Sequence, residues 1–104
     1  MPATGSPAYE QVADQVLRRA PAQRGVMFGM PCLKLDGKAF AGFYQDSMVF
    51  KLRGPAHEQA LALDGAALFN PSGRMPMKEW VQVPNRHAGR WADFAEEALK
   101  SVSK

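Results

Sequence analysis

Three features of the chain predict an α+β fold built on one antiparallel sheet. Residues 27–53 hold three apolar, β-type runs split by two turn signals, Asp36-Gly37 and Gln45-Asp46-Ser47, the pattern of a three-stranded meander. Helical periodicity of apolar residues appears near both termini. A further apolar stretch over 78–83 supplies one more strand. The expected order is α-β-β-β-α-β-α around a single sheet with helices at both termini, residues 1–6 forming a flexible tail and 7–104 one domain.

Each element has its own warrant. Ser6-Pro7 opens the first helix, with serine as N-cap and proline at the first helical position, where its missing N–H costs nothing. Tyr9, Val12, Ala13, Val16, Leu17 and Ala20 then form one apolar stripe, and Pro21 ends it. Within the meander, a three-residue first turn with Gly37 in a left-handed conformation would align Leu33 with Ala39, Ala41 and Phe43. That register gathers the apolar side chains, and a two-residue second turn brings Met48 and Phe50 to the same side. It places Lys34, Lys38, Phe40, Tyr44, Val49, Lys51 and Arg53 on the other face. Gly54-Pro55 starts a short helix over 56–63, stopped by Gly65, and 66–69 is a brief extended piece. Asn70-Pro71-Ser72-Gly73 is a turn. In the strand over 78–83, Lys78, Trp80 and Gln82 oppose Val81 and Val83. The last helix covers 86–102 with Ala88, Trp91, Ala95, Ala98, Leu99 and Val102 inward, and Asn85 as its N-cap.

A chain of 104 residues closes one core without staples, and 46% hydrophobic with 22% charged residues is an ordinary globular balance. The first residues have neither a basic nor an apolar signal region, and no apolar run approaches the roughly 20 residues of a membrane span. One cysteine, Cys32, rules out an internal disulfide and suits a reducing compartment, so the expected location is the cytoplasm. Net charge is only +3, but its distribution is uneven. Residues 24–53 carry five basic and two acidic side chains, and residues 66–90 carry four basic and one acidic. The sheet is the basic part of the molecule.

Catalytic patterns are missing from the sequence. His57 and His87 stand alone without metal-ligand spacing, so no metal is expected. Cys32 has neither a neighbouring base nor a helix N-terminus and reads as a half-buried hydrophobe. Asp36 and Asp46 sit where turns favour aspartate, and the glycines make no phosphate-binding fingerprint. Gly73-Arg74 reads as a plain turn with an alternative role as a single-phosphate holder. The remaining constellation is spatial: Phe40, Tyr44 and Trp80 among Lys34, Lys38, Lys51, Arg53 and Lys78. Aromatics among cations suit either bases and phosphates or a protein surface, unless helices cover that face.

With those residues in hand, the chain resembles the N-terminal domain of the TfoX/Sxy family of bacterial competence regulators. The resemblance rests on Met27-Phe28-Gly29, Asp36-Gly37-Lys38 with Phe40-Ala41, Lys51, Gly73-Arg74, Met77, Trp80 and Val83-Pro84, and spans residues 24–102. It implies a regulatory domain without catalytic residues or cofactor; family members carry a second helical domain, so an end at Lys104 leads to the expectation of a stand-alone unit. The expected function is a non-enzymatic module binding a protein partner or itself as a homodimer. Its candidate contacts are Lys34, Lys51, Arg53, Arg74, Lys78 and Trp80. The alternatives are nucleic-acid binding through the basic, aromatic face, and a small-molecule site or enzyme.

Overall fold

The computed structural model describes residues 7–27, 29–70, 73 and 77–102. Helix α1 (Pro7–Arg19) leads into strands β1 (Gln23–Met27), β2 (Met30–Leu35), β3 (Lys38–Tyr44) and β4 (Ser47–Lys51). Helix α2 (Gly54–Leu61), strands β5 (Ala67–Phe69) and β6 (Met77–Pro84), a 3-10 turn (Asn85–His87) and helix α3 (Ala88–Val102) complete the order. All strands join one antiparallel sheet, ordered β1-β2-β3-β4-β6-β5. The α+β architecture is the one the sequence predicts, with two additions. The meander has four strands, because β1 precedes the expected three. The extended piece at Ala67–Phe69 is the far edge strand. The proposed Ser6 cap lies outside the described residues, whereas Gly73 N–H does donate to Asn70 O at 3.3 Å, closing the turn expected there.

The register departs from expectation at one point, with a clear physical result. Leu35 pairs with Lys38, so Asp36 and Gly37 alone make the turn, with φ of 52° and 78°. Two positive φ values match the right-handed twist of a hairpin, which explains why a two-residue turn wins over the three-residue one. The extra residue is taken up inside β3 instead: Lys34 opposes Ala39, but Leu33 opposes Ala41. Phe40 is the bulged residue. It therefore turns with Ala41 toward the main core and is fully buried there, not on the opposite face. Lys38, opposite the core residue Leu35, also leaves the face assigned to it. The second turn, Gln45-Asp46, brings Phe43 beside Met48 as expected.

The main core lies between the sheet and all three helices. Tyr9, Val12, Ala13 and Val16 of α1 meet Trp91, Phe94, Ala95 and Ala98 of α3 over Leu33, Phe40, Phe50, Val81 and Val83. Burial of each large side chain here contributes about 2 kcal/mol. Phe43 packs between Tyr9 and Trp91, at ring centroid distances of 5.5 and 6.4 Å. The Trp91 indole N–H donates to Val83 O at 3.2 Å, so the buried ring leaves no unmet polar atom. Helix α2 contributes Ala60 to the same core. The His57 ring, bonded to Lys78 O at 2.7 Å, holds α2 against β6.

Candidate functional site

The helix-free face of the sheet collects several of the predicted contact residues without making the expected platform. Alternation and register put Lys34 of β2, Lys51 of β4 and Trp80 of β6 on this side, Lys51 directly opposite Trp80. Lys78 precedes the irregularity in β6 that brings both Met77 and Trp80, three residues apart, to the same cluster, so alternation does not carry Lys78 onto this face. Arg53 follows just beyond β4, and Arg74 lies outside the described residues. Trp80 is only 8% exposed: it packs with Met30, Val49 and Phe69, flanked by Ala39, Tyr44 and Met77. Phe69 belongs to edge strand β5, yet its ring meets Tyr44 of β3 edge-on at 5.1 Å. Those strands stand three places apart, roughly 14 Å across a flat sheet. The end of β5 must fold over the face to make that contact. This second cluster is sealed by the sheet itself, and the main core has taken Phe40.

The cations of this face are also partly answered. Lys51 and Arg53 both approach Glu79, at 3.9 and 3.8 Å. Such exposed pairs add little stability, but they reduce the local positive field. Among the described residues no open aromatic ladder stands among free lysines, the arrangement that stacking of single-stranded bases requires.

A different surface emerges at β1, which sequence reasoning missed. Met27 and Met30 flank the hairpin turn, so they and every second pair, Gly25 with Cys32 and Gln23 with Lys34, exchange ladder bonds. Arg24 and Val26 consequently turn their peptide N–H and C=O groups outward. Among the described residues, no backbone hydrogen bond from outside the hairpin meets those groups. Val26 is 67% exposed, the one large hydrophobic side chain so exposed among the described residues. Beside it opens a cavity of about 350 Å³, bounded by Tyr9 and Glu10 of α1 and by Arg24, Val26, Pro31 and Cys32 of the hairpin. Arg24 is neutralised by Glu10 at 3.0 Å and Asp14 at 3.2 Å. The signal was present as Arg24-Gly25-Val26 between a helix stop and Met27-Phe28-Gly29. Gly25 interrupts the alternation that normally announces a strand.

Among the groups with reactive side chains, Cys32 and Tyr9 are buried and both histidine rings bond backbone carbonyls. Burial pushes the Cys32 thiol above its ordinary pKa, with Lys34 opposing more weakly, and the residue has no exposed surface. Burial likewise raises the Tyr9 phenol from 10.0 to about 12. The His87 ring bonds Asp64 O at 2.8 Å and ties the start of α3 to the loop after α2. No cluster of metal-ligating side chains occurs among the described residues, and none of their helices is long and apolar enough to cross a membrane. Compared with known proteins, the chain matches no protein-family profile, no curated protein and no solved structure.

Proposed function

We propose that the chain is a non-enzymatic interaction module of the TfoX N-terminal kind, acting as a regulatory accessory that holds another protein. The observation that carries this reading is the open β1 edge, where exposed Val26 stands beside an apolar cavity. Unpaired peptide groups next to an apolar recess are what an added strand uses for affinity and specificity. The occupation of both histidine rings with backbone carbonyls, and the protonated, buried Cys32, support a non-catalytic role. The contact surface thus moves from the six predicted residues to the first edge, with Lys34 common to both.

A photo-cross-linking residue placed at Val26, and separately at Lys78, tests the reading in cells. A discrete protein adduct from position 26 and none from 78 is the expected result. Adducts with nucleic acid from position 78, or none from either position, would remove it.

A further inference from the structure

We propose that β1 accepts an extended peptide strand from another protein, carrying an acidic residue opposite Gly25 and an apolar neighbour opposite Val26. This inference rests on reading the chain as a protein-binding module, and adds the chemistry of the partner. The Lys34 stem crosses the sheet over Gly25: a Cβ built there would lie 3.0 Å from Lys34 Cε and 3.5 Å from Nζ. Glycine at this position lets the ammonium reach the sheet edge. Among the described residues Lys34 makes no ion pair, whereas Arg24 beside it is already matched by Glu10 and Asp14. The edge therefore offers one unanswered positive charge, on the helix-free side.

Alternation does the rest. Residues of an added strand that follow one another point to opposite faces, so the residue opposite Gly25 meets Lys34 while its neighbour meets Val26 and the cavity mouth. Hydrogen bonds come from the outward peptide groups of Arg24 and Val26. A second copy of the chain fits less well. Two-fold pairing about Gly25 sets Lys34 against its own counterpart, and like charges across a ladder repel.

The test uses the full chain, labelled with nitrogen-15, and two acetylated, amidated nine-residue threonine peptides containing Val-Glu or Val-Lys at the centre. The expected result is chemical-shift change at Arg24, Val26 and Lys34, with the Val-Glu peptide roughly fivefold tighter. Lys34→Glu, a surface change that leaves the core untouched, is expected to invert that preference. Val26→Pro is expected to abolish binding by both, since an edge strand tolerates proline where its N–H faces solvent. No shift at millimolar peptide, shifts confined to other surfaces, or equal affinity for both peptides would overturn the proposal. So would a dimer of the free chain with exchange-protected Arg24 and Val26 amides. A protein adduct from position 26 together with silent peptides would leave the module reading standing and sink this one alone.

Discussion

At the scale of single residues, the two buried titratable groups beside the β1 hairpin make the sharpest statements. Tyr9 ionises near 10 in the unfolded chain and near 12 in the folded one. Below pH 10 the phenol is neutral in both states and its contribution is complete. As pH rises from 10 to 12 the unfolded state alone loses the proton, so stability falls across that window, by on the order of 2 kcal/mol. Denaturant melts of the parent and Tyr9→Phe at pH 9 and 11.5 check this: the variant should lose much less between the two. Cys32 gives a second test. With its thiol buried and held protonated, it should react with a thiol-disulfide reagent at pH 7 about a hundredfold more slowly in the native chain than in denaturant. Fast native labelling would reopen the reading of this site as an enzyme's.

At the scale of elements, two glycines that both pair with Cys32, one on each side of β2, predict opposite outcomes. A Cβ at Gly42 would lie 3.1 Å from Pro31 O, a backbone atom, and 2.8 Å from Met30 Cε. Gly42→Ala should therefore destabilise by about 1–2 kcal/mol in urea melts. Gly25→Ala meets only the flexible end of Lys34 and should cost little. Equal losses would contradict the register. Most elements could be read in the sequence because each had a local cause: the stripe from Tyr9 to Val16, Pro21 as a stop, Asp36-Gly37 as a turn, the Val81 and Val83 alternation. What escaped was non-local. Whether the extra residue of the β2–β3 hairpin sits in the turn or at Phe40 is decided by packing of that ring under the helices. Strand β1 has no apolar alternation of its own and exists because β2 offers it a partner. The predicted Lys34, Lys51 and Trp80 do share a face. Side-chain spacing along one strand, however, carries no information about Phe69 arriving from β5 to cover it.

At the scale of the whole molecule, the sheet separates two apolar clusters of unequal size and different cover. Trp91 belongs to the helix-covered core and Trp80 to the one closed by β5. Because β4 and β6 contribute side chains to both, loosening one should loosen the other. Unfolding followed by fluorescence in Trp80→Phe and Trp91→Phe should show, in each variant, a single transition that coincides with its loss of helical circular dichroism. A separate early step in the Trp91→Phe variant, where Trp80 reports, would mean that the β5 closure melts alone. The strand order has a further outcome, in time instead of space. Strands β1 to β4 are neighbours along the chain as well as in the sheet, so each hairpin can zip up in microseconds. Strand β6 must cross α2 and β5 to dock on β4, and the loop-closure entropy of that long-range encounter makes it the slow, committing step of refolding. Until it arrives, nascent β4 is itself an open rim, and a chain emerging from the ribosome waits on its last third before it is safe from its neighbours.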